Sequence, residues 1–272
     1  MISIEAEKVE PEQGPKEFIL RDAAVVTMDD ERNAYESGFV WVRGDRIHRV
    51  GDVTALRDVP ASVAVSSARG RIILPGLVNA HGHLSNGILR GIYDEMPLSV
   101  WFAKGMWPVL EALDAQLGRI GAELALLELM TTGVTTTVSA EFGTPRKDLP
   151  DGVLAAIGQA HVRALVSRMT VDGDDDTDPS QAVPAAYRED CADAVKEVER
   201  LQRRYASPTI TVAPEALGVL RCTPELIEVP DEAMPAPPAF FLNANNAVAG
   251  QTLVLTAAGL TPGGSVRFAV ST

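Results

Sequence analysis

Two histidines separated by one glycine, His81 and His83, are the residues whose side chains and spacing best suit metal binding. Residues 71–78 before them are rich in Ile, Leu and Val, which predicts a β-strand buried on both faces. Because alternate side chains of a strand project to the same face, the two imidazoles would converge on one point. Gly82 adds no side chain that could crowd them. Imidazole is the commonest metal ligand among side chains, so the pattern predicts a metal site.

Acidic residues follow three later predicted strands and could join such a site. They are Glu141, Asp172 and Glu215. Each could complete a metal site or act as a general base toward an activated water. The simpler alternative is that they are solvated loop residues. The strands that would position them are predicted over residues 134–138, 162–171 and 209–213, and helices over residues 98–113, 115–130, 154–161 and 190–205.

A longer string around the histidine pair resembles a known family. PGLVNAHGH over residues 75–83 is followed by LRG over residues 89–91, an acidic pair at residues 94–95, and Trp101. This pattern is similar to the amidohydrolase superfamily, in particular its deaminases and chlorohydrolases of purine-like and triazine rings. The resemblance implies that His81 and His83 close the first strand of a (β/α)8 barrel and bind a catalytic divalent metal. Imidazole ligands suit zinc, the first expectation, and also iron, the alternative.

The resemblance also assigns residues to the substrate. In relatives the loop after the first barrel strand covers the substrate, which places Arg90, Asp94 and Trp101 at the site. A carboxylate there would suit an amino-substituted heterocycle such as a purine, pyrimidine or triazine. For Arg90 and Trp101, packing and loop anchoring are the open alternative.

The length of the matching region predicts an α/β fold with an incomplete (β/α)8 TIM-type barrel. Such a barrel takes roughly 200 to 250 residues, so a segment over residues 71–228 has room for about four of its eight units. Before it we predict a lead-in over residues 1–17 and a small β-sandwich segment over residues 18–70. After it come a Pro-rich linker and a β-rich tail over residues 229–272, which looks like part of an immunoglobulin-like module. A half barrel would leave open strand edges, which self-association of two chains could cover.

Composition excludes several classes of partner. A net charge of -13 argues against nucleic acid, whose phosphates need clustered Lys and Arg. The sequence contains no run of about 20 apolar residues, so no membrane span is predicted. The two cysteines, Cys191 and Cys222, are too few and too far apart for a disulfide framework. The acidic N-terminus lacks the basic and apolar parts of a secretory signal, so a cytoplasmic location is expected.

Other chemically active residue types have simpler interpretations. His48 is interpreted as an exposed strand residue and His161 as a residue at a helix end. The Asp-rich residues 173–184 have the spacing of calcium ligands, yet lack the Gly and distal Glu of a calcium-binding hand, which favours a solvated loop.

The leading hypothesis is hydrolysis of a ring carbon–nitrogen bond of a small-molecule substrate by a metal-activated water. The rivals are a non-catalytic remnant and a module that binds rings without chemistry.

Overall fold

The computed structural model describes residues 17–92, 94–173, 182–218, 221–227, 254–261 and 264–269. The chain divides into two compact units, Met1–Pro75 and Gly76–Thr272. Most of the predicted lead-in, the Pro-rich linker and most of the Asp-rich loop lie outside the described residues. Within the part of the chain that is described, no helix is both long and apolar enough to cross a membrane.

The N-terminal unit is built on one mixed sheet. Three antiparallel strands form its larger part, and two short strands pair with the first in parallel. Its buried core consists of Ile19, Phe39 and Trp41 from the strands and Val63 from the segment before the fourth strand. The strands are β1 (Glu17–Val26), β2 (Ala34–Arg43), β3 (Arg46–Asp52), β4 (Ala64–Ser67) and β5 (Ile72–Ile73).

The second unit contains a four-stranded parallel sheet in sequential order, β6-β7-β8-β9. Helices connect its strands, which is the pattern of successive βα units. Because carboxyl ends of parallel strands meet at one edge, side chains from several strands can converge there. The strands are β6 (Leu77–Asn79), β7 (Val134–Phe142), β8 (Arg163–Thr170) and β9 (Ile210–Ala216).

The predicted buried strand over residues 71–78 is wrong. The chain leaves β5 in one sheet and enters β6 in another, with Pro75 and Gly76 between them. Ile72 is 66% exposed and Val78 is 55% exposed. The physical reason is position, because β5 has only two residues and the edge strand β6 only three, so the apolar run has little to pack against.

Helices with clear start signals cover the parallel sheet. A helix over residues 98–112 has a π-helical turn at Trp101–Met106. Asp114 caps the next helix by accepting the backbone N–H of Leu117 at 2.9 Å, and Asp190 caps another through Ala192 at 2.9 Å. The α-helices are α1 (Leu98–Val100) and α2 (Trp107–Ala112) on either side of the π-helical turn, α3 (Ala115–Thr131), α4 (Leu149–Ala160), α5 (Cys191–Tyr205) and α6 (Pro224–Ile227).

The short 3-10 helix Leu84–Leu89, which follows the histidine pair, lies directly on α3. At the crossing, a Cβ on Gly87 would collide with the carbonyl oxygen of Gly121, and a Cβ on Gly121 with that of Ser85. Glycine at both positions therefore lets the two backbones touch. This close packing fixes the segment that directly follows His83.

The C-terminal tail contains an antiparallel hairpin. Its strands are β10 (Val254–Thr261) and β11 (Gly264–Ala269), which pair from Val254 with Ala269 to Thr261 with Gly264.

Candidate functional site

The two imidazoles of His81 and His83 lie beside each other just beyond the end of β6. Their ring centroids are 5.1 Å apart, with the planes at 85°. Both residues follow the strand instead of lying in it, so the convergence comes from the loop.

The ring of His83 is held in one orientation. Its Nδ1 lies 2.6 Å from the carbonyl oxygen of Ala140 on β7. A carbonyl oxygen can only accept, so Nδ1 carries the hydrogen, and Nε2 of the neutral ring keeps its lone pair. Burial, and then the charge that His83 can carry, lower the pKa of His81. Both effects favour the neutral form of His81, which is the form of imidazole that binds metals.

Glu141 lies inside β7 and is 0% exposed, so the solvated-loop interpretation is wrong for it. Its Oε1 accepts from the hydroxyl of Ser139 at 2.5 Å and from the backbone N–H of Ser85 at 3.4 Å. Its Oε2 is buried and has no hydrogen-bond partner among the described residues. Burial raises the pKa of Glu141, although the two hydrogen bonds and the nearby His83 oppose the rise.

Glu215 lies inside β9, is 3% exposed, and likewise contradicts the solvated-loop interpretation. The hydroxyl of Ser167 on β8 donates to its Oε2. Burial raises the pKa of Glu215 to about 7, and the charge of Glu141 adds to the rise against the hydrogen bond from Ser167. A carboxyl group with this pKa can take up or release a proton near neutral pH.

The other predicted site residues have structural contacts. Asp172 follows β8 and accepts from the backbone N–H of Thr223 at 2.8 Å and from its hydroxyl at 2.5 Å, which anchors the start of α6. Arg90 is exposed and forms an ion pair with Glu128 on α3.

The structure also places the other residues that the sequence analysis singled out. Trp101 packs edge-on against Phe102 at 5.0 Å between centroids and borders the apolar core, which favours the packing alternative. Asp94 is exposed. His48 is exposed on β3 and His161 ends α4 in a left-handed conformation, so both simpler interpretations are confirmed.

The sequence interpretation missed a buried guanidinium at the carboxyl end of β8. Arg168 is 0% exposed and pairs with Glu189 at 2.7 Å between its Nη1 and a carboxylate oxygen. It also donates to the carbonyl of Gly143 at 3.1 Å, and Lys147 approaches Glu189 at 3.1 Å. The available signal was an arginine inside the apolar strand sequence VRALVSRMTV. A charge there requires a buried partner, because an unpaired buried charge is strongly destabilising.

The described residues fit a divalent metal in part. Two adjacent imidazoles with a free Nε2 on His83 suit zinc or iron. Among the residues that the structure describes, no group of three or more His, Cys, Asp or Glu side chains is placed to hold an ion. Catalytic zinc sites normally use three protein ligands and a water, so the pair supplies two ligands of such a set.

A parallel sheet whose strands are connected by helices, with polar groups at its carboxyl edge, defines an α/β protein. A sequence model of the amidohydrolase family matches residues 72–233. The chain therefore belongs to the amidohydrolase family, whose members are generally metal-dependent.

Individual relatives point to the same branch. The chain is 30% identical over 211 residues to a 5-methylthioadenosine/S-adenosylhomocysteine deaminase of Bacillus cereus (strain 03BB102). That match covers 76% of this chain and 45% of the relative, so the chain spans under half of that relative's length.

Solved structures share the fold. A triazine hydrolase from Arthobacter aurescens matches with a TM-score of 0.68 at 23% identity, covering 79% of this chain and 49% of that chain. A guanine deaminase from C. acetobutylicum matches with a TM-score of 0.62 at 17% identity, covering 78% and 49%. The recognition of the amidohydrolase superfamily and its deaminase branch from the histidine motif is confirmed by the family model and the deaminase relative.

Proposed function

We propose that this chain is part of a metal-dependent hydrolase that deaminates an amino-substituted heterocycle such as a purine, pyrimidine or triazine. The observation that carries the proposal is the pair His81 and His83, held side by side at the carboxyl edge of a parallel sheet. Relatives named as deaminases and hydrolases of such rings support the substrate class.

In this proposal His81 and His83 hold the metal, with zinc as the first candidate and iron as the alternative. A divalent ion, when bound, supplies Lewis-acid activation of water. Glu215 is the proposed proton carrier, because its pKa of about 7 lets it accept a proton and return it to a leaving amine. Glu141 is the second carboxyl group and has its unpaired Oε2 available. Asp94 remains a proposed substrate contact, and so do Arg90 and Trp101 beside the ion pair and the packing contact that the structure shows for them.

The proposal includes further ligands from outside the described residues. We propose that β6 to β9 form four strands of an eight-stranded barrel, whose other strands complete the metal set. A second copy of this chain is the alternative source, since β6 is an open edge. In either case the described half holds the first two ligands.

The test is metal content measured beside deaminase activity on adenosine-like, guanine-like and triazine amines. We expect His81→Ala to lower bound zinc or iron at least tenfold, and to lower activity with it. The matched control is His161→Ala, an exposed histidine at the end of α4, which should change neither. Full activity and metal content in His81→Ala would reject the assignment.

The missing third ligand in the described residues favours one rival, a module that binds rings without chemistry. Such a protein would show a ligand-induced rise in melting temperature with guanine or adenosine but release no ammonia. A preparation that stays folded, metal-free after added zinc and unresponsive to these rings would instead be the non-catalytic remnant.

A further inference from the structure

The segment Gly82 to Ser85 is bonded to three successive residues of β7. The backbone N–H of Ala140 donates to the carbonyl of Gly82 at 2.8 Å, and the ring of His83 donates back to the carbonyl of Ala140 at 2.6 Å. The N–H of Leu84 donates to the hydroxyl of Ser139 at 2.9 Å. Side chains of β7 therefore hold the backbone on the C-terminal side of His83.

The hydroxyl of Ser139 donates its hydrogen to Glu141. It points to Oε1 of Glu141 at 2.5 Å, so the serine oxygen is free to accept the N–H of Leu84. The same Oε1 accepts the N–H of Ser85 at 3.4 Å. Glu141 thus orients Ser139, and the two side chains together satisfy two consecutive amides.

Water cannot replace these acceptors, because the two N–H groups are buried. Leu84 is 2% exposed and Ser85 is 3% exposed. Removing an acceptor from a buried N–H costs the desolvation penalty of that group, so the segment would shift to find another partner. Such a shift would move the backbone of His83 relative to the carbonyl of Ala140.

We propose that Ser139 and Glu141 are positioning residues that fix His83 in the Nδ1–H form, with Nε2 presented to the ligand. The value of this orientation for metal binding rests on the proposed function. The orientation itself is a property of the metal-free chain, and it can be measured without a metal.

The experiment uses the full chain and the variant Ser139→Ala. Long-range proton–nitrogen NMR of the neutral rings reports which nitrogen of His83 carries the hydrogen. Amide hydrogen exchange reports protection of Leu84 and Ser85. The matched control is Ser167→Ala, which removes a buried serine hydroxyl and its bond to a glutamate from the neighbouring strand.

We expect wild type and Ser167→Ala to show His83 as the Nδ1–H form. Ser139→Ala should show a mixture of both forms and about tenfold faster exchange at Leu84. Glu141→Ala should also give a mixture, whereas Glu141→Gln, which keeps an oxygen acceptor, should restore the wild-type form. This pair of variants tests the proposal even if Ser139→Ala does not fold. An unchanged His83 form in both Ser139→Ala and Glu141→Ala would overturn it.

A titration with cobalt alone, followed by visible absorption, tests the consequence for metal binding. Ser139→Ala should weaken cobalt binding about tenfold relative to Ser167→Ala, as is typical for partners of metal-binding histidines. Equal cobalt affinity in the two variants would count against the positioning role. If the wild type binds no cobalt yet the His83 form changes as expected, the proposed function fails and the positioning role stands.

Discussion

Replacing Glu215 with Gln tests the electrostatics of the candidate site through stability. The pKa of Glu215 is raised from 4.5 to about 7 because the carboxyl is buried. A raised folded-state pKa means that the native protein holds the proton more tightly than the unfolded chain. The stabilisation is complete below the unfolded pKa and is lost as pH rises through 7. At about 1.4 kcal/mol per pKa unit, the loss amounts to about 3 kcal/mol.

Glu215→Gln should abolish this part of the pH dependence, because the amide is neutral at every pH and its oxygen can still accept from Ser167. We expect the free energy of unfolding of wild type to fall by about 3 kcal/mol relative to the variant between pH 4.5 and pH 8. Denaturant unfolding followed by circular dichroism at both pH values measures the difference. Glu123→Gln, an exposed glutamate on α3, is the control and should track wild type.

The carboxyl carbon of Glu215, observed by NMR, gives an independent measurement of the same pKa. A midpoint near the ordinary value of 4.5, with parallel pH profiles for wild type and Glu215→Gln, would refute the reasoning. It would also remove Glu215 as the proposed proton carrier at neutral pH.

Three further substitutions test the packing around the site by denaturant unfolding. Gly143→Ala should cost at least about 2 kcal/mol, since its Cβ would collide with the guanidinium of Arg168. Asp114→Ala should cost about 1 kcal/mol, because the N–H of Leu117 loses its cap. Leu154→Ala should cost about 3 kcal/mol, because the side chain is fully buried in the core beneath α4. A loss below about 0.5 kcal/mol in any variant would contradict the packing described for that position.

The bounds of α3 and α5 were predictable because their signals are local, whereas α4 begins at Leu149 and not at the predicted residue 154. Asp114 and Asp190 sit at helix starts as N-caps, and Gly133 ends α3 with a positive φ of 87°. The predicted helix over residues 190–205 closely matches α5 at Cys191–Tyr205. Capping and periodicity act within one or two turns, so the sequence contains what is needed to infer them.

Strand lengths and burial were less predictable because they depend on neighbours. The predicted strand over residues 134–138 extends to Phe142, and that over residues 209–213 extends to Ala216. Both extensions are paired in register with β8, which the local residues do not encode. Because of these extensions, Glu141 and Glu215 lie in the sheet and not in the loops where they were expected.

From the sequence alone came the His-Gly-His spacing, the family and the order of helices and strands, because these depend on residue identity and local periodicity. Only the tertiary structure decided that Glu141 and Glu215 are buried and that their pKa values are raised, since desolvation requires the surrounding side chains to be in place. It also decided that the apolar run before the histidines is exposed, because burial of a strand depends on what lies beside it. The tertiary structure also decided the orientation of the His83 ring, since the carbonyl that holds it lies 57 residues away in the sequence.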